Sequence, residues 1–109
     1  MNKVSIVVPV YNEIKTIDEI LEKIENASFY GLEKEIILID DMSTDGTREH
    51  LKDLENKYKV LYHEKNQGKG AAIRTGMAHI TGDIMVIQDA DLEYDPNDYE
   101  ELVKLIVEN

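Results

Sequence analysis

Three acids spaced two apart, Asp89, Asp91 and Glu93, are the strongest chemical feature of this 109-residue chain. They follow the apolar run Ile84-Met85-Val86-Ile87-Gln88 and precede Asp95-Pro96, which reads as a helix start with proline at the first helical position. The acids thus fall in a turn between a strand and a helix, and in open parallel sheets ligands bind at that edge. An extended chain would send all three to one side. Clustered carboxylates repel one another, so a hard divalent cation with oxygen ligands suits them. A D-x-D pair arises easily by chance in a chain rich in aspartate; its place at a strand end gives it weight.

Other strand ends carry candidates as well. Pro9, Tyr11 and Glu13 follow the first strand. Tyr11 could stack on a flat ring while Pro9 keeps the chain extended, or it could be a surface tyrosine after a turn proline. Asp40 and Asp41 close the second strand. Adjacent residues point to opposite sides, so at most one faces the ligand edge, where an acid can accept from a base N–H or a ribose hydroxyl. We assign that place to Asp40 and read Asp41 to Thr47 as a turn and helix cap.

Gly68-Lys69-Gly70 opens a further helix, with Lys65 and Arg74 nearby. It is not a Walker A loop, nor the dinucleotide fingerprint, because Ile73 stands where the third glycine belongs. Backbone N–H groups and cations at a helix start favour anions. A loop that only tolerates glycine and solvates its lysines fits the local sequence equally. His50, His63 and His79 share no metal-site spacing.

The elements that must position these groups alternate with few spare residues. Apolar, partly β-branched runs at Val4–Pro9, Glu35–Asp40, Val60–His63 and Asp83–Gln88 read as strands. Thr16-Ile17-Asp18-Glu19 reads as a capping box, followed by the inward face Ile17, Ile20, Leu21 and Ile24. Leu51, Leu54 and Tyr58 mark a second helix, and Ile73, Met77 and Ile80 a third. Tyr99, Leu102, Val103 and Ile106 mark a fourth. Four such units predict an α/β fold with a parallel sheet covered on both faces.

Composition sets the outer limits. The length fits one domain, and 42% hydrophobic residues allow a modest core. A net charge of −11 argues against nucleic acid as a partner. No apolar stretch approaches the roughly 18 residues of a membrane span, and the start is not a signal peptide. The lack of cysteine suits a cytoplasmic location.

Four segments now stand in register: Val7-Val8-Pro9-Val10-Tyr11-Asn12-Glu13, Ile39-Asp40-Asp41-Met42-Ser43-Thr44-Asp45-Gly46-Thr47, the run from Asn66 to Gly76, and Gln88-Asp89-Ala90-Asp91-Leu92. Together they resemble the family 2 glycosyltransferases of the GT-A fold, in the branch of dolichol-phosphate mannose synthase and the polyprenyl-phosphate sugar transferases. The resemblance covers only the amino-terminal, nucleotide-binding part of such enzymes, which implies a domain incomplete at its carboxyl end.

It implies a Rossmann-like sheet of strand order 3-2-1-4 and a UDP- or GDP-linked sugar as donor. Pro9, Tyr11 and Glu13 would line the nucleoside pocket, Asp40 would bond the base beside Asp41, and Lys69 and Arg74 would border the nucleotide. Asp89 and Asp91 would hold Mg²⁺ or Mn²⁺ against the diphosphate. Relatives often carry Gln where Glu93 stands, so a ligand role for Glu93 changes the charge there. A lipid-phosphate acceptor is implied too, with peripheral membrane contact. The edge of the strand at Asp83–Gln88 would lack its family neighbour, which favours self-association. The alternative is a module that binds a nucleotide sugar without transferring it.

Overall fold

Strand and helix alternate as expected in the computed structural model, which describes residues 2–91 and Lys104. The order is β1 (Lys3–Val10), α1 (Ile17–Asn26), β2 (Glu33–Asp40), α2 (Thr47–Lys52), β3 (Lys59–Tyr62), α3 (Lys69–Met77) and β4 (Ile84–Ile87). All strands are parallel, in the order β3-β2-β1-β4. The expected fourth helix and Glu93 lie outside the described residues.

The central strand β1 is apolar on both sides because each side meets a different layer. Val4, Ile6, Val8 and Val10 join Ile17, Ile20, Leu21, Ile24, Leu38 and Leu51 in the larger core, beneath α1 and α2. Val7 turns the other way and packs with Ile37, Ile39 and Ala72 beneath α3. The inward face expected of α1 is the one buried. Its capping box does not form, however. Thr16 is the N-cap residue but makes no side-chain cap bond; its hydroxyl donates to Ala90 O instead.

Helix α2 is shorter than expected. It ends at Lys52, and Leu54 and Tyr58 pack against the larger core from the turns that follow. On α3 the expected face is corrected more sharply. Ala72 and Gly76 are the buried residues, whereas Met77 is 49% exposed. Ile80, beyond the helix, does pack beside them. A Cβ at Gly76 would lie 2.6 Å from Val7 Cγ1 and 2.8 Å from Ile39 Cδ1. The helix sits so close to the sheet that small size, not hydrophobicity, selects its contact residues.

At the amino edge of the sheet, Glu35 staples three segments. Its carboxylate accepts from Ser5 Oγ at 2.7 Å, Thr81 N–H at 2.9 Å and Thr81 Oγ1 at 2.6 Å. Burial pushes the Glu35 carboxyl up, but the bonds from Thr81 and Ser5 outweigh it and hold the pKa at about 2. Among the described residues no helix is long and apolar enough to cross a membrane.

Candidate functional site

Strand parity builds the site. Val7, Ile37, Ile39 and Met85 face α3, so the odd-numbered residues that end β1, β2 and β4 continue onto the α3 side. These are Pro9, Asp41 and Asp89. Backbone bonds prolong the sheet to this rim, from Asp41 N–H to Val10 O (2.9 Å), His63 N–H to Asp40 O (2.9 Å) and Gln88 N–H to Val7 O (3.0 Å). The first turn of α3 then closes the space above them.

The result is a cleft of about 390 Å³, lined by Pro9, Tyr11, Glu13, Asp41, Asn66, Gly68, Lys69, Asp89 and Asp91 together with Val10, Ala72 and Ala90. The Lys69 ammonium is ion-paired with the Asp89 carboxylate. Tyr11 stands at the mouth, 47% exposed. Glu13 is drawn upward from its ordinary pKa by burial, and the charges of Asp91, Asp45 and Asp89 add to this against a lowering bond with Thr16. The cleft is thus acidic around one lysine. Such a site favours a cation, and Lys69 at the start of α3 sets one positive charge among the acids.

Of the ten expected site residues, Pro9, Tyr11, Glu13, Asp41, Lys69, Asp89 and Asp91 come together here, while Asp40 and Arg74 do not line the cleft. The tenth, Glu93, lies outside the described residues. Asp40 shares the parity of Leu38 and turns toward α2, where it is 0% exposed. There it accepts from Arg48 Nη1 at 2.9 Å and meets Ser43 N–H at 3.3 Å. Arg48 also stacks its guanidinium 4.9 Å from the centre of the Tyr62 ring. Of the two acids placed at the ligand edge, Asp40 thus faces α2, paired with Arg48, and Asp41 is the one that lines the cleft. Arg74 is exposed, on α3 one turn beyond Gly70.

Contacts that the sequence did not mark hold this rim together. Asn12, at φ 53°, accepts from Thr44 N–H at 2.7 Å, and its own N–H donates to Ser43 Oγ at 2.9 Å. Glu13 N–H donates to Thr47 Oγ1 at 3.1 Å. Thr16 donates its hydroxyl to Ala90 O at 2.7 Å, with Glu13 Oε2 at 3.1 Å. Asp41 binds the glycine loop, accepting from Gln67 N–H at 2.9 Å and Gly68 N–H at 2.8 Å. No short-range motif announces such contacts, because their partners are distant in sequence. Among the described residues no three His, Cys, Asp or Glu side chains converge on a metal site.

A parallel sheet with an acidic, lysine-bearing cleft at its carboxyl edge defines an open α/β ligand-binding protein. Within that class the chain belongs to glycosyl transferase family 2, which it matches over residues 5–109. It is 38% identical over 106 residues to a dolichol-phosphate mannosyltransferase of Pyrococcus furiosus, an alignment that covers 95% of this chain and 30% of the relative. Its fold is similar to that of S. aureus TarS 1-349 in complex with UDP, with a TM-score of 0.79 and 29% identity over 97% of this chain and 32% of the other. It is also similar to the mannosyltransferase PcManGT from Pyrobaculum calidifontis in complex with GDP-Man and Mn²⁺. That match has a TM-score of 0.75 and 29% identity, over 94% of this chain and 31% of the other. The chain thus spans about a third of the length of these relatives.

Proposed function

We propose that this chain is the donor-binding part of a glycosyltransferase that takes a UDP- or GDP-linked sugar. The observation that carries the reading is the convergence of Asp89, Asp91 and Lys69 on the cleft that Tyr11 and Pro9 border. Tyr11 offers a face for the base, and Lys69 with the α3 amides offers positive charge to the diphosphate. Asp89 and Asp91 fit Mg²⁺ or Mn²⁺, since such ions often take one or two carboxylates and complete their shell with phosphate oxygens and water. When bound, the ion would neutralise charge developing on the departing diphosphate. Glu93 remains a candidate third ligand.

A lipid phosphate is the acceptor class we favour, in keeping with the name of the Pyrococcus relative. Such an acceptor is already anionic and needs little help from a general base. It would also bring the protein to a membrane surface. Self-association belongs to the same reading, because among the described residues β4 pairs with β1 alone. The second reading is binding of a nucleotide sugar without transfer.

Calorimetry with UDP and GDP, first with Mn²⁺ and then with EDTA, tests the site. Asp91→Ala should abolish the metal-dependent part, whereas Asp53→Ala, at the exposed end of α2, should leave it intact. Equal losses in both would reject the assignment. Product assays with UDP- and GDP-sugars and a polyprenyl phosphate separate transfer from binding alone.

A further inference from the structure

We propose that His63 is a positioning residue for the nucleotide, locking Asp41 onto the glycine loop and so fixing Gly68 and Lys69 at the cleft. The proposal takes its ligand from the donor-binding reading, but the clamp itself stands on separate geometry. His63 follows β3 and is only 7% exposed. Its backbone is held on both sides, by the bond to Asp40 O and by Arg48 Nη1 donating to its carbonyl at 3.0 Å. The ring therefore has a fixed seat. From that seat Nδ1 lies 2.8 Å from Asp41 Oδ1, and Nε2 lies 2.8 Å from Thr75 Oγ1 on α3.

The chemistry of the partners assigns the roles. An ionised carboxylate only accepts, so Nδ1 carries the hydrogen toward Asp41. In the neutral ring Nε2 then accepts from the Thr75 hydroxyl. Asp41 is 3% exposed, and its two oxygens receive His63, Gln67 N–H and Gly68 N–H. Burial raises the Asp41 carboxyl, but these three donors together hold it below the usual carboxylate range. Asn66 Nδ2 adds a bond to the Asp41 carbonyl at 3.2 Å. One carboxylate thus gathers two consecutive amides of a loop in which Gly68 has φ 97°. Such a loop has many other conformations available, and His63 is the side chain that prevents Asp41 from turning away from it.

The two nitrogens can be removed separately. In His63→Asn the side-chain amide replaces Nδ1 and keeps the donor to Asp41. In His63→Gln it replaces Nε2, reaching Thr75 and leaving Asp41 without that donor. Both are polar and similar in size, so both should fold. Two measurements on the full chain read the outcome: amide exchange at Gln67 and Gly68 without nucleotide, and the Kd for UDP and GDP with Mn²⁺. His63→Gln should speed exchange at both amides and weaken binding, each by about tenfold, with Val7 in β1 unchanged. His63→Asn should stay within about threefold of the parent on both. Equal behaviour of the two variants would overturn the proposal, as would unchanged exchange in His63→Gln. If the parent binds neither nucleotide, the donor-binding reading fails while the exchange comparison still decides the clamp.

Discussion

The hydroxyl of Thr16 lies 2.7 Å from the carbonyl oxygen of Ala90, 74 residues further along the chain. Ala90 separates Asp89 from Asp91, so this bond ties the peptide between the two acids to the start of α1. A threonine placed to cap a helix instead orients the proposed metal turn.

Thr16→Val should therefore weaken Mn²⁺-dependent nucleotide binding by about fivefold, the effect of one lost hydrogen bond of about 1 kcal/mol. Thr16→Ser keeps the hydroxyl and should bind like the parent. Mn²⁺ titration followed by electron paramagnetic resonance checks the metal arm without any turnover. Matching affinities in the Val and Ser variants would dissociate Thr16 from the turn.

Glu35 should make stability depend on acid. Folding lowers its pKa from 4.5 to about 2, so between these values the folded chain holds fewer protons at this site than the unfolded one. Its contribution is complete above pH 4.5 and shrinks as the pH falls toward 2. Because the site is partly exposed, we expect Glu35→Gln to cost about 1–2 kcal/mol near neutral pH, less than the full shift implies. Denaturant curves across the acid range should show the gap between parent and variant closing. A gap independent of pH would contradict this.

Gly76 and Gly70 lie on the same helix in opposite situations. Gly76→Ala places a methyl 2.6 Å from Val7 Cγ1 and should cost about 1–3 kcal/mol through overpacking. Gly70→Ala meets only Arg74 Nη1, at 3.4 Å, and should gain up to about 1 kcal/mol from helix propensity. Thermal melts of the two variants should move in opposite directions.

Much of this was legible from the chain. Apolar, partly β-branched runs placed all four strands, and the 3.6-residue spacing of Ile17, Ile20, Leu21 and Ile24 identified the packed face of α1. The strand order came from family resemblance and agrees with the sheet. What was not legible depends on contacts made across the fold. Apolar periodicity chose Ile73 and Met77 on α3, but close approach to Val7 and Ile39 rewards the absence of side chain at Gly76. Local spacing made Thr16 a cap, yet a carbonyl distant in sequence claims its hydroxyl. The choice between Asp40 and Asp41 was a question of parity. The side each acid takes follows from Leu38 facing one core and Ile39 the other, and two apolar residues in a row do not show which core each will join.

Among the described residues the two faces of the sheet are unequally filled. The α1 side holds a broad core including Phe29, Leu38 and Leu51, whereas beneath α3 the buried apolar cluster is Val7, Ile37, Ile39 and Ala72. Apolar burial sets how much work local opening requires, so α3 should release from the sheet well before β1 does. The helix that carries Lys69 is then a separately breathing unit on a rigid frame. A ligand gripping its first turn would be felt as slower opening of α3 alone, with the lifetime of β1 scarcely altered.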